Sequence, residues 1–154
     1  ELYFFIAQLQ TCSPVLTSVG DKVVTKELLD PINDTSEALI LRTCPNNESK
    51  LSSDYSGKNP AYLDIETTRK IVEAGIQHLL LDLPSVDREE DGGKLVSHHL
   101  FFGIPDNPRP HTTITEMIYV PENIPDGSYL LSFQIPNFML DAAPSRPVLY
   151  ALID

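Results

Sequence analysis

Two adjacent histidines, His98 and His99, and one glutamate, Glu116, are the residues of this sequence best placed to do chemistry. Glu116 lies in TTITEMIYV, residues 112–120, whose alternation is that of a strand. Residues i and i+2 of a strand share a face. Glu116 is therefore expected beside Ile114, Ile118 and Val120, with Thr113, Thr115, Met117 and Tyr119 on the more polar side. A lone carboxylate on an apolar face is costly. It needs a cation, a metal or a proton, unless the strand is an edge or a bulge flips the face. In KLVSHHLFF, residues 94–102, Leu95, His98 and Phe102 form one helical stripe at i, i+3 and i+7, with His99 about 100° away. A lone inward imidazole is more often a satisfied core histidine than a ligand. Histidine and carboxylate from two elements are nevertheless the right types for half of a zinc or manganese site. Asp82 and Asp87 are the remaining candidates, but the acidic run of residues 87–91 also reads as a solvated turn.

The elements that position these residues follow from the apolar pattern. Residues 2–10 (LYFFIAQLQ) are aromatic and branched, as in a strand. Residues 25–29 form one helical turn with Thr25 as its cap. Residues 38–43 (ALILRT) and 76–83 (IQHLLLDL) are compact apolar runs, the mark of strands buried on both faces. Between them lie a polar loop at 44–60 and a helix at 64–74. Asp64 caps that helix, Ile65, Thr68 and Val72 form its stripe with Ile71 adjacent, and Gly75 ends it. Strand, helix, strand is a β-α-β unit, so the two apolar strands are parallel neighbours. Ligands in such sheets gather at the carboxyl ends of strands, here over residues 82–93. Residues 103–111 form a Pro-rich loop and 121–127 a turn. Residues 128–135 are a strand with Tyr129, Leu131, Phe133 and Ile135 on one face, and 147–153 are the last strand. Few helices among parallel and meandering strands argue α/β or α+β with a large mixed sheet.

Composition narrows the function. The 154 residues fit one domain, 42% hydrophobic and 21% charged, and carry 22 acidic against 11 basic residues, a formal charge of −11. So acidic a surface repels phosphate backbones and anionic lipid, so neither nucleic acid nor membrane is an expected partner. No apolar run reaches the ~20 residues of a spanning helix, and no basic segment precedes the first one as in a signal peptide. Cys12 and Cys44 could form one disulfide, but two lone cysteines at this spacing read first as free thiols of a reducing, cytoplasmic protein. The sequons at Asn33 and Asn47 carry little weight. The G-x-S-x-G, P-loop and G-x-G-x-x-G motifs do not occur. His78 and His111 read as structural.

Four patches together resemble the metal-dependent cyclase family, which includes the bacterial kynurenine formamidases. They are residues 38–43; Leu81-Asp82-Leu83-Pro84-Ser85-Val86-Asp87, similar to the family's D-x-P-S-V-D turn; residues 94–99 followed by Ile114-Thr115-Glu116; and residues 126–131 followed by 141–149. Their order and spacing carry the resemblance, which runs over residues 38–149.

The resemblance implies an α/β fold of the swivelling β/β/α type, a mixed sheet or barrel-like core with flanking helices. It implies a divalent metal, zinc first and manganese second, held by His98 and Glu116, with Ser85, Asp87 and His99 on the substrate side. It implies hydrolysis of an N-formyl or aryl or cyclic amide, most like an arylformamidase that converts N-formylkynurenine to kynurenine and formate in tryptophan catabolism. A homo-oligomer, dimer or tetramer, is expected. The family's H-x-G-T-H-x-D segment would lie upstream of the first patch and is not in this sequence. Residues 1–154 are therefore expected to be a single, N-terminally incomplete cyclase-like domain whose catalytic residues lie in that segment. Residues 103–110 lengthen the span between His98 and Glu116 beyond that of typical formamidases, which leaves the substrate open. The alternatives are a non-catalytic binding or structural module of the same fold, or a hydrolase of another cyclic amide.

Overall fold

The computed structural model describes residues 3–152. Leu2 and Ile153, the expected outer ends of the first and last strands, lie outside the described residues. Among the described residues nine strands and two α-helices, with short 3-10 turns at Lys26–Leu28 and Glu48–Ser52, follow one another as β1 (Phe4–Cys12), β2 (Val15–Leu16), β3 (Lys22–Val24), β4 (Ala38–Thr43), β5 (Tyr62–Leu63), α1 (Ile65–Glu73), β6 (His78–Leu81), α2 (Val96–Phe102), β7 (Thr113–Thr115), β8 (Gly127–Gln134) and β9 (Arg146–Ala151). The main sheet has the order β7-β6-β4-β1-β8-β9. Its four strands β1, β4, β6 and β7 are parallel, and β8 and β9 are antiparallel to their neighbours. The β-α-β reading is borne out: Leu39, Ile40 and Leu41 of β4 lie opposite Leu79, Leu80 and Leu81 of β6.

Every residue of β4 and β6 is buried, because both faces of the sheet carry a core. On one face Leu39, Leu41, Leu79 and Leu81 pack against Ile71 of α1 and Phe101 of α2. On the other Ile40 and Leu80 join Leu9, Leu131 and Phe133. Burying each such side chain contributes roughly 1.5–3 kcal/mol, an upper bound set against an extended chain. Asp64 caps α1 by accepting from Thr67 N at 2.7 Å, and Gly75 takes φ +79° just past its end. On α1 Ile65 is exposed, and Thr67, Thr68 and Ile71 face the core.

One element has no counterpart in the sequence pattern, and two expectations change. Strands β2, β3 and β5 form a separate small sheet whose two- and three-residue strands are too short to show a period. The turn at Lys26–Leu28 follows Thr25, but the Thr25 side chain makes no capping bond. Ile135 lies beyond β8 and is exposed, so the face of β8 ends at Phe133. The Pro-rich segment is braced by Gly103, which ends α2 at φ +69°; a Cβ there would fall 1.9 Å from the Asn107 carbonyl oxygen.

Neither cysteine is disulfide-bonded: Cys12 is buried at the end of β1 and Cys44 is exposed. Burial, with the nearby Asp82 charge adding to it, pushes the Cys12 thiol up to about 12 from 9.0. A thiol reagent at neutral pH is therefore expected to modify Cys44 alone, and Cys12 only after unfolding. Mass spectrometry before and after denaturant checks this. The sign of the shift also makes stability fall between about pH 9 and 12, because the unfolded thiol ionises first. Among the described residues no helix is long and apolar enough to cross a membrane.

Candidate metal centre

The helix that carries His98 begins at Val96, two residues later than the expected start at Lys94. Leu95 sits at φ +46° as the residue before α2 and is exposed. The buried residues of α2 are Ser97 and Phe101; of the expected stripe Phe102 packs against the same core, His98 is half-buried and Leu95 is exposed. His98 is left half-buried at the edge of the core, aimed at the turn that follows β6 rather than into the leucines.

That turn supplies its partner. Asp87 is buried and accepts from Ser97 N at 2.7 Å, from His98 N at 3.1 Å and from the His98 ring at Nδ1, 2.7 Å. One carboxylate thus ties down the first turn of α2 and fixes the imidazole. With Asp87 ionised, Nδ1 carries the proton and Nε2 presents its lone pair outward. Burial alone would raise the Asp87 carboxyl. The hydrogen bonds from the His98 ring and from the two backbone N–H groups outweigh it and hold Asp87 below the usual carboxylate range. The same ring bond raises His98 above its ordinary value against burial, and the charge of Glu116 acts in the same direction.

Glu116 arrives by a different route from the one its alternation suggests. Strand β7 ends at Thr115, and Met117 takes φ +60°. The chain then rejoins the end of β6, with Met117 N donating to Leu83 O and Ile118 N to Leu81 O. Ile114 packs on the helix side of the sheet, whereas Ile118 and Val120 pack on the opposite side. The expected shared face of Ile114, Glu116, Ile118 and Val120 is therefore split at Met117. A local break of this kind at a sheet edge re-aims one side chain, and the side chain re-aimed here is Glu116. Its Oε1 accepts from Val86 N at 3.0 Å and stands 3.5 Å from His98 Nε2. The side chains of His98 and Glu116 remain 24% and 28% exposed, so the pair is reachable from solvent. Burial raises the Glu116 carboxyl, against the lowering effects of the Val86 N–H and of His98. Histidine and glutamate are thus both shifted toward holding a proton, for different reasons, in a place where a cation would serve as well.

Beside Glu116 opens a groove of about 1030 Å³. Ile40, Leu80, Ile118, Leu131 and Phe133 give it apolar walls, and residues 141–147 form its far side. Ser85 and His99 are not brought to the groove. The Ser85 hydroxyl accepts from Asp87 N at 3.1 Å within the turn, and His99 lies on the exposed side of α2. Asp82, the other acidic candidate, is buried away from the pair. It accepts from Thr43 N and the Thr43 hydroxyl and is bridged by Lys50 at 2.7 Å. Sequence reasoning missed the clamp that fixes the turn from outside. Arg88 donates twice to Asp21, at 3.0 and 3.2 Å, and Glu89 accepts from Gly57 N and Asn59 N. No local spacing signals either contact, since the partners are 67 and about 30 residues apart. Among the described residues no group of three or more His, Cys, Asp or Glu is arranged to hold a metal.

No family model matches the chain, and no curated protein matches it. Among solved structures it is similar to one described as a potential metal-dependent hydrolase with cyclase activity. The TM-score is 0.65 at 16% identity, covering 96% of this chain and 65% of that one. It is also similar to a predicted metal-dependent hydrolase from Bacillus stearothermophilus, with TM-score 0.66 at 18% identity, covering 96% and 63%. The chain spans just under two thirds of the length of either. At these identities the likeness establishes architecture: this chain has the mixed α/β fold of those two structures.

Proposed function

We propose that the chain is part of a metal-dependent hydrolase acting on an N-formyl, aryl or cyclic amide, with arylformamidase as the nearest activity. The observation that carries this reading is the pair His98 Nε2 and Glu116 Oε1, 3.5 Å apart, with Nδ1 locked by Asp87. The pair fits a divalent cation in kind. Zinc bonds nitrogen and oxygen at ~2.0–2.2 Å in a tetrahedron, whose edge is then about 3.4 Å. The His98–Asp87 bond is the carboxylate–histidine arrangement that orients metal-binding imidazoles. Two donors are too few for a complete site, so on this reading the remaining ligands and the general base come from outside the described residues. When bound, the cation would make water a nucleophile near neutral pH and polarise a carbonyl oxygen. This chain's residues do the rest. Asp87 holds the proton on Nδ1, Val86 N–H orients Glu116, and the apolar wall of the groove beside Glu116 offers a surface for the substrate.

The coarse activity and the substrate are separable by experiment. Metal content of the full chain, followed by hydrolysis of N-formylkynurenine against other aryl and cyclic amides, tests both. Absence of metal and of turnover on every amide sinks the hydrolase reading. It leaves the non-catalytic module, which the two-donor count favours. The positioning role of Asp87 gives a further expectation. Asp87→Asn is expected to weaken metal binding about 10–100-fold and to cost about 1–3 kcal/mol in urea unfolding. Unchanged metal affinity in that variant would remove Asp87 from the site.

A further inference from the structure

A second cleft, of about 410 Å³, shares no lining residue with the groove beside Glu116. Its walls include Pro14, Cys44 and Asp82, which follow β1, β4 and β6, so it opens at the carboxyl ends of three adjacent parallel strands. This is where open α/β sheets bind ligands.

Its charge runs against that of the molecule. Three of the six lysines in a chain of net charge −11 line it: Lys22, Lys50 and Lys58. Asp82 is its only carboxylate. Lys50 neutralises Asp82 and is spent in doing so, since its ammonium also donates to the Thr43 carbonyl and hydroxyl. Lys22 and Lys58 are exposed, and no ion pair engages either of them among the described residues. Cys44 stands on the same wall with an exposed thiol.

We infer that this cleft is a binding site for a small dianion, a phosphate monoester or a dicarboxylate, held by Lys22 and Lys58 beside Cys44. Two ammonium groups suit a compact dianion as point charges. A concave wall of low polarisability strengthens their field even on an acidic protein. The site is independent of the metal centre, because none of its residues belongs to the His98, Glu116 and Asp87 cluster.

Cys44 supplies the readout. In the full chain a neutral alkylating reagent is applied with and without inorganic phosphate, with succinate as a second arm and sodium chloride at matched ionic strength as the reference. Phosphate or succinate is expected to slow Cys44 modification, and isothermal titration should show saturable binding of the protecting anion. Protection by phosphate alone selects the phosphate esters, by succinate alone the dicarboxylates, and by both a site that reads charge. K22Q/K58Q, both on exposed side chains, is expected to weaken that binding about tenfold, at roughly half of that in logarithm per lysine. Protection no greater than that of sodium chloride, or identical affinity in K22Q/K58Q, overturns the proposal.

Discussion

Glu116→Ala is expected to strip the bound metal and to lower amide hydrolysis more than ~100-fold, beyond what the loss of a merely supporting residue costs. His98→Ala is expected to do the same. The two side chains approach from separate elements, one from the start of α2 and one from the break after β7, and meet at 3.5 Å. Neither is needed for folding to the same degree. Glu116 makes one hydrogen bond to the backbone, from Val86 N, and leaving that donor to solvent costs about 1 kcal/mol. The variant should therefore stay folded while losing metal. Glu116→Gln sharpens the result, since the amide oxygen still accepts from Val86 N–H but carries no charge for a cation. A structural role predicts that Glu116→Gln behaves as the parent; a ligand role predicts that it behaves as Glu116→Ala. The double variant should be no worse than either single one, because residues that act as a unit are not additive. Metal per chain and hydrolysis rate are the measurements. If both single variants keep their metal and their turnover, the two residues are not ligands.

How much of this was legible in the sequence depends on how many neighbours each feature needed. The runs ALILRT and IQHLLLDL read correctly as doubly buried strands from their own composition, though the second is strand only over His78–Leu81, and their parallel pairing followed from the helix between them. Asp64 and Gly75 marked the ends of α1 for the same reason: a cap is a local interaction. His98 and Glu116 were visible as the two chemically awkward residues of their segments. What the alternation of residues 112–120 could not show is the break at Met117, because Ile118 and Val120 continue the pattern while changing sides of the sheet. The inward face of α2 was misread at Leu95, because that left-handed residue precedes the helix, whereas Phe102 packs on the core as expected. Asp87 appeared in the sequence only as one acid among several. Its three bonds to α2 exist only once the turn after β6 has been folded against that helix. The patches that are distant in sequence meet in the fold. Thr43 touches Asp82, Asp87 touches His98, Val86 touches Glu116, and Arg42 touches Asp126.

The arginine in the last of these contacts carries the largest expected effect on stability, through its other partners. Arg42 is expected to cost about 3 kcal/mol when replaced by Met, although it lies at the end of a strand and makes no contact with the proposed ligands. Its guanidinium donates to the carbonyls of Pro121 and Ile124 at 2.8 Å each, to the Thr11 hydroxyl at 2.8 Å and to Asp126 at 2.9 Å. It thus joins β1, β4 and the turn before β8 by one planar fork, a geometry lysine cannot reproduce. The ion pair itself contributes little, because the Asp126 side chain is 42% exposed and water can replace the arginine there. The cost comes from the two carbonyls and the hydroxyl, left without a donor beneath an arginine side chain only 8% exposed. For a chain of this length 3 kcal/mol corresponds to a fall of roughly 6–12 °C in Tm. Arg42→Lys, which keeps the charge and reaches fewer acceptors, should fall between Arg42→Met and the parent. Glu66→Gln, which breaks the exposed Arg69–Glu66 pair, should leave the midpoint unmoved and serves as the reference. Urea unfolding followed by circular dichroism measures all three, with an unchanged slope showing that the native and unfolded states keep their compactness. A loss below about 1 kcal/mol in Arg42→Met would mean that water enters and satisfies the orphaned carbonyls. The turn before β8 would then be held by packing of Val120 and Ile124 rather than by this fork.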